Sequence, residues 1–157
     1  MKYLDDDVVQ ELLDGKWLKI AEAIEDAFVD ESAEMVPKVY LDGWGGDFRA
    51  MPAALGDYAA VKWIGVFPSN WKKAKHTTAG TLVLSDRRTG QTLLAMDCRT
   101  LTAYRTAVTS AIAAKYCAPD AKEFAIIGCG LQGRYHIEAY EAICCNHMNL
   151  SLELYDT

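Results

Sequence analysis

A chain of 157 residues, half of them apolar, is long enough for one ordinary domain with a real core. Its formal net charge of −6 argues against a nucleic-acid surface, and no apolar run reaches membrane-spanning length. MKYLDDDVVQ has no apolar signal-peptide core, so the chain reads as cytoplasmic, with no membrane or nucleic-acid partner. The five cysteines, Cys98, Cys117, Cys129, Cys144 and Cys145, include no C-x-x-C pair. His76, His136 and His147 lack ligand spacing with one another, so neither a disulfide framework nor a metal site is expected.

Residues 5–14 and 17–31 read as two helices separated by Gly15. The acids Asp5, Asp6 and Asp7 suit the start of the first. In the second, Leu18, Ala21, Ile24, Ala27 and Phe28 form an apolar stripe at three–four spacing, which is core packing. Residues 37–41 and 48–51 read as strands flanking a glycine-rich turn, with Met51-Pro52-Ala53-Ala54 ending the second. Residues 59–67 form the next strand, with Lys62 the odd residue in an otherwise apolar run. Burying an ammonium without an anion is costly, so Lys62 is either an edge lysine that snorkels to water or a group awaiting an anionic ligand. Composition alone favours the edge lysine.

Residues 69–79 are a polar, lysine-rich loop, and 81–85 with 92–96 make a hairpin about Asp86-Arg87-Arg88-Thr89-Gly90. Thr100 can cap a helix over 101–117 whose small residues suit close packing on a sheet. Arg105 projects from its second turn, and a surface ion pair of little worth is its plain reading.

The following stretch carries the clearest chemistry. Phe124-Ala125-Ile126-Ile127 suits a buried parallel strand, Gly128-Cys129-Gly130-Leu131-Gln132-Gly133 fits G-x-G-x-x-G, and 131–145 reads as a helix. In such a site the first glycine permits the turn, the second admits a pyrophosphate, and the third lets helix pack on strand. The helix N-terminus offers unpaired N–H groups to the phosphates. A second apolar strand over 150–155 ends at Asp156, whose carboxylate can accept from adenosine ribose hydroxyls. The glycine motif alone is weak; its strand–turn–helix–strand–acid context strengthens it.

The run LTAYRTAVTSAIAAKY followed by AIIGCGLQG resembles the ornithine cyclodeaminase and mu-crystallin family, which includes alanine-dehydrogenase-like members. MPAALG, AAVKWIGVFPSN, GTLVLSDRRTGQTLLAMD and LELYDT fit it in the same order, so the similarity covers nearly the entire chain. The resemblance implies an α/β fold: an N-terminal α+β substrate-binding and dimerisation unit over 1–118, then the first β-α-β of a Rossmann NAD(P)-binding domain over 119–157. It implies that Lys62, Arg105, Arg49 and Lys38 hold a substrate carboxylate, with a catalytic role for Lys62. Lys38 stands where the family usually has arginine, and lysine cannot form the bidentate fork. Thr77, Arg105, Gly128, Gly130, Leu131, Gln132, Gly133 and Asp156 are the implied cofactor-binding residues. Asp156 would repel a 2′-phosphate, which favours NAD over NADP.

The implied chemistry is hydride transfer between NAD and the Cα–H of a small amino acid, or the reverse reduction of an imine. The implied catalytic acid of the Rossmann domain lies beyond position 157. The chain is therefore expected to be truncated, to bind NAD weakly and to be inactive alone. A homodimer through the N-terminal unit is expected, with Trp44, Trp63 and Phe67 on open sheet faces. Lys62 and Arg105 are expected to share one cleft, with Arg49 or Lys38 at its rim. The alternative is a non-enzymatic dimerising or small-ligand-binding module of mu-crystallin type.

Overall fold

The computed structural model describes residues 1–121, 123–144 and 151–155. The chain divides into two compact units, the first made of Met1–Leu12 and Ala27–Leu101, the second of Leu13–Asp26 and Thr102–Thr157.

Among the described residues, the first unit is built on a seven-stranded sheet. Its strands are β1 (Lys2–Leu4), β2 (Glu34–Met35), β3 (Val39–Gly43), β4 (Gly46–Leu55), β5 (Tyr58–Val66), β6 (Thr78–Asp86) and β7 (Thr92–Asp97). They run in the order β1-β7-β6-β5-β4, with β2 and β3 sharing the far side of β4. The strands from β3 to β7 pair antiparallel along the chain, while β1 joins β7 in parallel, Tyr3 opposite Ala95. Strands β1 and β2 are too short for an alternating pattern to register, and only their distant partners define them.

Pro52 does not end its strand. It pairs with Val61 inside β4, which runs on to Leu55. On the other side of β4, β3 reaches Ala50 and β2 resumes at Ala53, so Met51 and Pro52 have no partner strand there. Proline is tolerated where a ladder is one-sided.

Helix α1 (Asp6–Leu13) starts on a cap from Asp5, whose Oδ1 accepts from the Val8 N–H at 3.0 Å. Helix α3 (Arg99–Cys117) begins earlier than Thr100 as a cap would allow. Asp97 Oδ1 accepts from the Arg99 N–H at 2.8 Å, and Asp6 Oδ1 from the Thr100 N–H at 3.1 Å. Two acids from separate elements thus serve the orphan donors.

The second unit packs helix α2 (Trp17–Val29), α3 and α4 (Leu131–Cys144), with a parallel pair β8 (Glu123–Ile127) and β9 (Ser151–Tyr155). Its core joins Trp17 and Ala21 to Tyr104, Ala107, Val108 and Ala111, with the Trp17 and Tyr104 ring centroids 4.4 Å apart. Small residues on α3 permit this approach, and they pack against helices α2 and α4 where the sequence suggests a sheet. The buried stripe of α2 is centred on Trp17, Ala21 and Ile24, whereas Leu18 and Phe28 are exposed. The fold is mixed α/β, closing on a parallel β-α-β.

Candidate functional site

The glycine turn of the second unit is built by local sterics. Gly128 leaves β8 at φ +101°, a conformation that L side chains rarely adopt. A Cβ on Gly133 would lie 2.2 Å from the Gly128 carbonyl oxygen, so only glycine lets α4 start this close to the end of the strand. A Cβ on Gly130 would meet nothing within 4 Å. The second glycine therefore faces open space, where a ligand could approach the backbone. Leu131 opens α4 and is exposed; Gln132 follows it.

A cavity of about 470 Å³ adjoins the turn, lined by Gly128, Gly130, Gln132 and Gly133 and by His136 and Tyr140. His136 Nδ1 lies 2.7 Å from the Gln132 carbonyl, which can only accept, so Nδ1 donates there. Its Nε2 lies 3.0 Å from Ser110 Oγ. Tyr140 donates to the Ser110 carbonyl at 3.4 Å, and burial, followed by the nearby Cys144 thiol, raises its hydroxyl pKa above the ordinary range. His136 and Tyr140 escaped the sequence reading. Their signal was present: with Gly133 they fall at i, i+3 and i+7 on one helix face.

The first unit brings two of the expected cations together. Lys62 pairs with Met51 of β4 and Leu82 of β6. It therefore stands on an interior strand, half-buried, and the edge-lysine reading is corrected. Arg49 lies two residues before Met51 on β4, so the pleat puts Arg49 and Lys62 on the same sheet face as diagonal neighbours. Arg49 pairs with Tyr40, and its guanidinium carbon lies 5.5 Å from that ring's centroid. Asp47 binds the same guanidinium from two residues away, at 2.5 Å to Nε and 3.0 Å to Nη2. The hydrogen bonds from Arg49 hold the Asp47 carboxyl below its ordinary value.

Lys38 is exposed, just before β3. Thr77 is exposed before β6, its carbonyl accepting from the Phe67 N–H at 2.8 Å. Arg105 belongs to the second unit and is exposed on α3. Asp156 lies outside the described residues. Trp44 is fully exposed at a hairpin tip, whereas Phe67 is half-buried, edge-on to Phe48, rather than open.

The profile of the ornithine cyclodeaminase/mu-crystallin family matches residues 5–156. The chain belongs to this family. Among cyclodeaminase/mu-crystallin relatives, it is 40% identical over 125 residues to an alanine dehydrogenase of Archaeoglobus fulgidus, covering 77% of this chain and 39% of that one. It is 37% identical over 114 residues to an ornithine cyclodeaminase of Agrobacterium fabrum, covering 72% and 32%. The chain thus spans between about a third and two fifths of the length of these curated relatives.

Solved members of the family share the fold. An archaeal alanine dehydrogenase dimer with bound NAD superposes with a TM-score of 0.87 at 33% identity, over 99% of this chain and 48% of that one. The Thermococcus litoralis Δ1-pyrroline-2-carboxylate reductase, in complex with NADH and L-proline, gives 0.87 at 28%, over 99% and 49%. The cyclodeaminase-family fold extends through both units. No helix among the described residues is long and apolar enough to cross a membrane.

Proposed function

We propose that this chain supplies the dinucleotide-binding turn and the carboxylate-binding sheet face of an NAD-dependent oxidoreductase acting on small amino or imino acids. The observation that carries the reading is the turn itself: Gly133 excludes a side chain, while Gly130 opens onto ligand-accessible space. These features fit a pyrophosphate laid on the N-terminus of α4. Backbone from Gly128 to Gly133, including Leu131 and Gln132, would hold it. Thr77 and Arg105 are assigned to the cofactor, and Asp156 to the ribose hydroxyls, which favours NAD over NADP. When bound, NAD supplies a hydride acceptor for an amino-acid Cα–H, or a donor in the reverse sense.

The chain's own side chains would bind and orient the substrate. Lys62, Arg49, Lys38 and Arg105 are assigned to its carboxylate. Lys62 is also assigned a catalytic role, because a half-buried ammonium beside the ligand can exchange a proton with the substrate nitrogen. Residues 1–118 serve substrate binding and dimerisation in this reading, and 119–157 begin the nucleotide domain. The exposed Val39, Leu41 and Trp63 share the sheet face opposite Lys62, which supports a homodimer there.

NMR shift mapping with NAD tests the proposal. Weak binding is expected, with perturbations clustered at residues 128–133 and His136 and weaker effects from NADP. Perturbations concentrated elsewhere, or equal response to both dinucleotides, would count against it.

A further inference from the structure

A guanidinium carries five N–H donors in a planar fork and offers a carboxylate two matching edges, Nε with one Nη, or the two Nη together. In Arg49 the lateral edge is taken. Asp47 accepts from Nε at 2.5 Å and from Nη2 at 3.0 Å. Tyr40 stands across the ladder, with its ring 5.5 Å from the guanidinium carbon. What remains is the end edge, one Nη1 hydrogen and the outer Nη2 hydrogen, on a side chain still 32% exposed. Two contacts that use different parts of the group thus fix its plane and leave one fork available.

Hairpin stability gives Asp47 no evident reason to be acidic. Asp42 lies directly opposite it in the β3–β4 ladder, and like charges in that relation repel. The acid is matched to Arg49 instead.

Resting on the reading above that Arg49 binds a substrate carboxylate, we propose that Asp47 is its positioning residue: it clamps the Nε/Nη2 edge so that the Nη1/Nη2 edge is presented to the ligand. A bystander carboxylate predicts the opposite sign. Removing nearby negative charge from an anion site strengthens binding by simple Coulomb attraction, whereas removing a clamp weakens it by freeing a flexible side chain.

The test is arginine side-chain NMR of the 157-residue chain titrated with L-alanine in the presence of NAD. L-Alanine should shift the Arg49 Nη resonances and leave its Nε–H in place. Asp47→Ala should weaken binding about three- to tenfold, the scale of immobilising one rotamer-rich side chain. Asp47→Asn keeps an acceptor and should fall between. Unchanged or tighter binding in both variants, with unaltered thermal melts, overturns the positioning role while leaving Arg49 as a ligand. Displacement of Nε–H from Asp47 during the titration also overturns it, since Asp47 would then be a competitor. L-Alanine binding that Arg49→Lys does not alter, or no L-alanine shift at all, overturns the carboxylate assignment of Arg49 and the positioning role with it.

Discussion

In the proposed function the two units offer anions two different kinds of partner. In the second, the glycine turn presents backbone N–H groups at the start of α4, all within one short run of sequence. In the first, side chains supply the charge, and Tyr40, Arg49 and Lys62 reach one sheet face only through the register of β3, β4 and β5. A backbone site tolerates varied side chains but no added Cβ at its tight point. A side-chain site tolerates small backbone changes but depends on charge and on the ladder that aligns it.

Gly133→Ala should break the first kind of site outright. The new Cβ meets a carbonyl oxygen at 2.2 Å, and backbone cannot swing aside as a flexible side chain could. The loss should be about 1–3 kcal/mol despite alanine's better helix propensity, with NAD perturbations at the turn abolished. Denaturant melts together with the NAD titration check this; a stable variant with normal NAD shifts would contradict the steric argument.

Lys62→Met should do the reverse. Its neighbours Met51 and Leu82 accept a thioether of similar length, so melts should change by less than about 1 kcal/mol. L-Alanine affinity should fall about tenfold, the scale of one lost charge-assisted contact, while NAD perturbations persist. Equal losses for both ligands would erase the contrast between the regions.

The smallest effect concerns the first unit's acid-sensitive anchor. Burial alone would raise the Asp6 carboxyl pKa, but hydrogen bonds from Thr100 and Arg99 outweigh it and hold the group below its ordinary 3.8. A carboxylate depressed on folding adds stability above its unfolded value and loses that stability as pH falls through the folded one. Melting temperature should therefore drop below about pH 4, and part of that drop should vanish in Asp6→Asn. At pH 7 the variant should lose about 1 kcal/mol, because Asn keeps one acceptor but not the charge. An unchanged acid profile would show that Asp6 is not the anchor.

Much of the second unit was legible because its determinants are local. G-x-G-x-x-G after an apolar run specifies a turn through the φ and Cβ restrictions of its own residues, and α3's small residues announce a close-packed helix. The first unit was less so. Lys62 looks like an edge lysine when only its own strand is seen, yet β4 and β6 flank it. Pro52 looks like a strand end, yet its strand continues where the far side is unpaired.

The strand–turn–helix at Gly128, the positions of most strands and the family are readable from the chain alone, because they rest on residues adjacent in it. Tertiary structure alone decided that Arg49, Asp47 and Lys62 share a face, that β1 closes the sheet against β7, and that His136 and Tyr140 line the cavity beside the glycines. Register and packing are non-local: a one-residue slip between strands reverses which face every side chain takes, and periodicity within one strand does not report its partner's alignment.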